Sequence, residues 1–191
     1  GTAKNFHIDI PRTTRPLTDR MKVRIFDLLK EDIVKKNILD LYAGSGSFGL
    51  ECLSRGAKEA TFVDASKQAF QILNANVAHT GFLPQSTVIK SKVDEYLLKS
   101  IKDGKTFDII FIDPPYKLYN TKRLFKIQEM INNASLLLPA VKDPNTNKFK
   151  GAIIVKHPRR YPVDKLELQY IKMVETYDFG LNSISFFIVP R

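Results

Sequence analysis

The sequence predicts an α/β fold: a doubly wound, mostly parallel sheet of seven strands that ends in a C-terminal antiparallel hairpin. Three observations carry this. From about residue 37 onward, short apolar runs alternate with segments of helical period, the pattern of strand-helix-strand repetition. The runs are apolar at consecutive positions and rich in β-branched or aromatic residues, which suits strands buried on both faces. The last two runs are separated by a stretch too short for a crossover, so they can pair only antiparallel.

The elements follow in chain order. Lys4 to Ile10 alternates like a strand, with Phe6, Ile8 and Ile10 on one side, and Pro11 ends it. Pro16 and Thr18 precede a helix with Met21, Ile25, Leu28 and Leu29 inward. The first apolar run is Ile38 to Tyr42, and the second is Thr61 to Val63. Ser66 is placed to cap a helix whose stripe is Ala69, Phe70, Leu73 and Val77, with Gly81 as its stop. Thr87 to Ile89 is a third strand, followed by a helix through Val93, Tyr96, Leu97 and Ile101. Phe107 to Ile112 is the fourth strand, and the helix after it carries Leu124, Ile127 and Ile131. Residues 140–151 are polar and turn-rich and read as a surface loop. Ala152 to Val155 is the fifth strand. Leu168 to Thr176 and Ser183 to Val189 form the hairpin, with its turn around Tyr177 to Asn182.

Composition narrows the function. A chain of 191 residues suits one domain with a sizeable core. The charge is +10, from 30 Lys+Arg against 20 Asp+Glu, which points to an anionic partner, nucleic acid first. A single cysteine, Cys52, excludes an intrachain disulfide and a cysteine-built metal site, and fits a reducing, cytoplasmic setting. No apolar run approaches the ~20 residues that span a bilayer, and Gly1 to Asn5 carry no apolar leader core.

Two segments carry chemistry. Asp40-Leu41-Tyr42-Ala43-Gly44-Ser45-Gly46-Ser47-Phe48-Gly49 places G-x-G-x-x-G between a strand and a helix. Glycines there let a ligand approach the backbone, and the helix start offers unpaired N–H groups. Asp64 closes the next strand, twenty residues after Gly44, where a carboxylate can accept from ribose hydroxyls. A tight turn with a capping aspartate would use the same residues. Both a nicotinamide dinucleotide and S-adenosylmethionine satisfy these features. The second segment is the apolar strand that ends in Asp113-Pro114-Pro115-Tyr116. Two prolines remove N–H donors, so acceptors remain, with an aromatic ring beside them. That suits a planar group bearing an exocyclic NH2, held by the acceptors and stacked on Tyr116. Hydride transfer has no use for it.

Asp-x-x-x-Gly-Ser-Gly with Asp-Pro-Pro-Tyr resembles the class I, Rossmann-like S-adenosylmethionine-dependent amino methyltransferases. Thr14 to Arg20, Leu39 to Gly46, Leu53 to Ala57 and Tyr177 to Gly180 are similar, more closely, to the RsmD family, which methylates the N2 amine of a guanine in 16S ribosomal RNA. The resemblance covers nearly the whole chain from about Lys4. It implies that Ala43, Gly44, Ser45 and Gly46 wrap the methionine part of the cofactor, with Asp40 near its amino group. Asp64 would hold the ribose, and Ala65 would border the adenine. Thr14, Arg15 and Arg20 would lie near the cofactor mouth and the RNA entry. It further implies residues 1–20 as an N-terminal strand and substrate-side segment, and 21–191 as the methyltransferase domain. The chain departs from the family pattern in three places. Lys92 stands where an acidic residue often reads the adenine, leaving the Val93 N–H for that contact. A first strand is missing, and the 140–151 loop is longer.

The expected reaction is therefore methyl transfer from S-adenosylmethionine to a guanine N2 in 16S ribosomal RNA, free or in the assembling small subunit, by a monomer. Asp113, Pro114, Pro115 and Tyr116 form the catalytic turn. Gly49 completes the cofactor loop. Arg12, Arg15, Arg20, Lys117, His157, Arg159 and Arg160, together with Lys122 and Arg123, form a phosphate-binding rim. No metal is expected. Two alternatives use the same residues: an adenine-N6 methyltransferase on DNA or RNA, and a catalytically silent RNA-binding assembly factor.

Overall fold

Seven strands and five α-helices are found among the described residues of the computed structural model, which are residue 2 and residues 7–10, 17–119, 124–139 and 151–190. In chain order they are α1 (Asp19–Leu29), β1 (Asn37–Leu41), α2 (Ser47–Ser54), β2 (Glu59–Asp64), α3 (Lys67–His79), β3 (Ser86–Lys90), α4 (Val93–Lys102), β4 (Ile109–Ile112), α5 (Leu124–Ser135), β5 (Ala152–Pro158), β6 (Lys172–Phe179) and β7 (Asn182–Ile188). The strands form the mixed, mostly parallel sheet that the sequence predicts, with the antiparallel hairpin last. The backbone divides into two units, Gly1–Val93 and Asp94–Arg191.

In the first unit, β1 lies parallel to β2 with Asn37 beside Glu59, and β2 lies parallel to β3 with Ala60 beside Ser86. β1 is buried on both faces, as a parallel strand covered by helices should be. Thr18 caps α1 by accepting from the Met21 N–H, and Ser66 caps α3 by accepting from the Ala69 N–H. α1 buries Met21, Ile25, Phe26 and Leu29. Phe26 thus takes the inward place expected of Leu28, because its ring stacks on Phe48 of α2. The predicted N-terminal strand is absent over the described residues His7 to Ile10. These are held by a side chain: the buried amide of Asn76 on α3 accepts from the Asp9 N–H and donates to the Asp9 carbonyl. The remainder of that predicted strand lies outside the described residues.

In the second unit, β4 is parallel to β5, and β7 pairs antiparallel with both β5 and β6. β5 is longer than predicted and runs on through Lys156, His157 and Pro158, because β7 offers a matching ladder down to Asn182. β6 begins at Lys172, and Tyr177, Asp178 and Phe179 belong to the strand and not to the turn. Gly180, at φ +63°, closes a two-residue turn between paired Phe179 and Asn182, and that sets the register. The predicted 140–151 loop, apart from Gly151, lies outside the described residues.

Candidate active site

The glycine segment is shaped by backbone geometry. Positive φ alternates along it, at Tyr42 (+58°), Gly44 (+57°) and Gly46 (+79°). For Tyr42 a left-handed backbone costs about 1–2 kcal/mol, so the surrounding structure must hold it. Several groups do. The Ala43 N–H donates to the Val63 carbonyl at 3.1 Å, and the Gly46 N–H to the Ala43 carbonyl at 2.7 Å. Asp40, only 2% exposed, accepts from the Gly49 N–H at 3.0 Å and so ties the first turn of α2 to β1. Asn76 donates to the Ser45 carbonyl at 2.9 Å with the same amide nitrogen that reaches Asp9. One buried amide therefore joins α3, the glycine turn and the segment around Asp9.

Gly46 and Gly49 have a second role. A Cβ on Gly49 would sit 2.3 Å from the ring of buried Phe62, and one on Gly46 would sit 2.3 Å from Leu73 Cδ1. Gly49 is thus required by the packing of α2 on β2. Asp64, at the end of β2, accepts from the Gly44 N–H at 3.0 Å with one oxygen and from the Ser66 N–H at 2.8 Å with the other. Each carboxylate oxygen keeps a further lone pair, so the residue can fix the loop and still accept from two hydroxyls. Ala65 is exposed beside it, Lys92 is exposed, and buried Val93 is the first residue of α4.

In the second unit, β4 delivers Asp113 at its carboxyl end, followed by buried Pro114 and exposed Pro115. Tyr116 is 44% exposed and opens a short 3-10 turn, and its hydroxyl donates to the Asn182 side chain at the hairpin tip. Asp113 is not the free acceptor that the sequence suggested. Both of its oxygens accept from Lys156 Nζ, at 2.8 and 3.1 Å, with side-chain exposures of 7% for Lys156 and 22% for Asp113. Burial raises the Asp113 carboxyl above its ordinary value, outweighing the Lys156 charge and hydrogen bond, which act to lower it. Sequence reading passed over Lys156. The available signal was a charged residue directly after Ile153-Ile154-Val155, at a position a buried strand reserves for apolar side chains.

The rim residues divide. Arg12, Arg15, Lys122 and Arg123 lie outside the described residues. Arg20 is exposed in the first turn of α1, Lys117 is exposed after Tyr116, and Arg160 is exposed past β5. Arg159 is exposed but paired, its Nε 2.9 Å from Asp178. His157 is corrected: at 3% exposure it touches no solvent-borne ligand. Because β5 extends past it, its ring lies inside the sheet, with Nδ1 2.9 Å from the Pro158 carbonyl and Nε2 2.8 Å from Ser185 Oγ. Burial lowers its pKa, which favours the neutral ring. A neutral ring donates from Nδ1 and accepts from Ser185, whose Oγ lies 2.6 Å from Thr176 Oγ1. Cys52 is buried in α2 with its thiol pKa pushed up by burial. Among the described residues no group of His, Cys, Asp and Glu side chains could hold a metal ion, and no helix is long and apolar enough to cross a membrane.

A family model described as "Conserved hypothetical protein 95" matches residues 1–188. The chain is 31% identical over 145 residues to the ribosomal RNA small subunit methyltransferase D of Buchnera aphidicola subsp. Baizongia pistaciae, covering 72% of each chain. It is 37% identical over 103 residues to the protein of that name in Escherichia coli K12, covering 54% of this chain. The match spans only 50% of the length of that Escherichia coli relative. Among solved structures, a hypothetical protein of Thermus thermophilus superposes with a TM-score of 0.75 at 26% identity, over 97% of this chain and 95% of that one.

Proposed function

This chain belongs to the conserved hypothetical protein 95 (RsmD) family, and on that premise we propose that it transfers a methyl group from S-adenosylmethionine to the exocyclic N2 amine of a guanine in small-subunit ribosomal RNA. The observation that carries the proposal is the turn after β4. It combines a carboxylate paired with a buried lysine, two prolines without N–H donors and a half-exposed aromatic ring.

The first unit fits the cofactor. Gly44 adopts the positive φ of a tight turn after β1, and Asp64 keeps lone pairs for two ribose hydroxyls. Ala65 and the Val93 N–H are the proposed borders of the adenine. Asp40 and Asn76 act by fixing the loop through Gly49 and Ser45. When bound, S-adenosylmethionine supplies an electrophilic sulfonium methyl: the amine lone pair forms the new N–C bond, and the S–C pair stays on sulfur.

A guanine N2 is a weak nucleophile because its lone pair is delocalised into the ring. The Asp113 carboxylate and Pro114 carbonyl would accept from its two N–H groups and so set the direction of the lone pair. Positioning of this kind can supply about 7–11 kcal/mol of a barrier. One N–H proton leaves to Asp113 and from there to water. Tyr116 would stack on the base after it leaves its helix, with its ring steadied through Asn182. The exposed Arg20, Lys117, Arg159 and Arg160, with Arg12 and Arg15, are the proposed phosphate contacts. Residues 1–20 are proposed as the substrate-side segment.

The test is transfer of a labelled methyl group to naked 16S RNA, assembled 30S subunits and DNA, followed by nucleoside analysis. N2-methylguanosine is the expected product. N6-methyladenosine would move the reading to the adenine enzymes. No transfer to any substrate would favour a silent RNA binder.

A further inference from the structure

Residues Ile153 to His157 of β5 are all buried, and Lys156 is among them. An ammonium group is costly to bury unless it is paired. The strand register supplies the partner: Ile112 of β4 lies beside Val155 of β5, so the next step along the parallel ladder brings Asp113 beside Lys156. The Nζ reaches both carboxylate oxygens, at 2.8 and 3.1 Å. The Lys156 carbonyl in turn accepts from the Tyr119 hydroxyl, and the Tyr119 ring packs edge-on against Tyr161. The lysine is therefore anchored at its backbone as well as at its tip.

We propose that Lys156 is a positioning residue for methyl transfer: it fixes the plane of the Asp113 carboxylate and keeps it in the ionised form that accepts a hydrogen bond from the substrate amine. This rests on the reading of Asp113 as the group that holds the amine. A protonated Asp113 would turn an O–H donor toward an NH2 that needs acceptors, and would have no place for the departing proton. Burial alone drives Asp113 toward that protonated form, and Lys156 is the group that opposes it. No other described group of the second unit competes for this role. The other residues of β4 are apolar, Pro114 and Pro115 carry no charge, the Tyr116 hydroxyl is committed to Asn182, and the ring of His157 is committed to Ser185 and Pro158.

The experiment pairs a binding-independent readout with kinetics. The Asp113 carboxyl is titrated by carbon-13 NMR in wild type, Lys156→Met, Lys156→Gln and Lys156→Arg. The pH profile of single-turnover methylation is recorded for the same four proteins. Loss of an adjacent opposite charge shifts a carboxylate by about 1–3 pH units. In Lys156→Met the carboxyl should therefore titrate about 1–3 units higher, and the acid limb of the rate should move up by the same amount. RNA affinity should stay within about twofold. Lys156→Gln keeps donors without charge, should behave like the Met variant, and serves in its place if that variant does not fold. Lys156→Arg should restore most of the wild-type profile. An unmoved Asp113 titration in both neutral variants overturns the proposal, as does a moved titration with an unmoved acid limb. If wild type transfers no methyl group, the functional reading fails, while the NMR titration still decides whether Lys156 holds Asp113 ionised.

Discussion

In the first unit the candidate site is made of backbone: alternating φ at 42, 44 and 46, N–H groups collected by Asp40 and Asp64, and carbonyls collected by Asn76. In the second unit it is made of side chains that meet across a strand ladder, with Asp113 and Lys156 43 residues apart in sequence. Each half is therefore vulnerable in its own place. A backbone-built loop depends on the absence of side-chain atoms at its glycines. A ladder-built pair depends on register and on charge balance in a buried place.

The largest effect should come from breaking the pair. Lys156→Ala leaves the half-buried Asp113 without its cation, and loss of one partner of a fully buried pair, about 3–5 kcal/mol, is the upper bound on the cost. Replacing both residues by apolar ones of similar volume, as in Lys156→Met with Asp113→Leu, should recover much of that. Urea unfolding of the single and double variants measures it. Next is Asp113→Ala in single-turnover methylation at saturating RNA. Losing a preorganised polar group should lower turnover on the order of 10²–10³, with RNA affinity little changed if the proposed phosphate contacts carry most of it.

These two variants also show what the sequence could tell. The Asp-Pro-Pro-Tyr turn was legible because its composition alone removes donors, and the glycine turn because glycines admit the positive φ at 44 and 46. Lys156 and Asn76 were not legible. Each matters through a partner brought to it by strand register or helix packing: Asp113 for the first, Ser45 and Asp9 for the second. His157 was misplaced for a related reason. Its neighbours Arg159 and Arg160 suggested a basic surface run, whereas β5 continues through it and buries it against Ser185. Fold class came through because alternation of apolar runs and helical stripes is a local property, while the hairpin register waited on Gly180.

The backbone-built half has its own test. Gly49→Ala would press a methyl into the Phe62 ring at 2.3 Å. Overpacking of this kind costs about 1–3 kcal/mol, more than the up to ~1 kcal/mol an alanine gains in a helix, so thermal stability should fall. An unchanged melting temperature would show that α2 moves freely on β2. Smaller still is the pH response of His157. Its native pKa is lowered by burial, so the unfolded chain binds the proton first as pH falls. The histidine's contribution is complete above its unfolded value of about 6.5 and is lost as pH drops toward the native pKa, by up to ~1.4 kcal/mol per pH unit. His157→Gln should flatten urea-derived stability relative to wild type as the pH falls below the unfolded value of about 6.5.

The division of labour between the two units is tested most directly by calorimetry of S-adenosylhomocysteine binding to Asp64→Ala and Asp113→Ala. Loss of charge-assisted hydrogen bonds should weaken binding by about 1–3 kcal/mol in Asp64→Ala, whereas Asp113→Ala should bind as wild type does while transferring methyl groups poorly. Equal loss of binding in both variants, or wild-type binding by Asp64→Ala, would contradict the account.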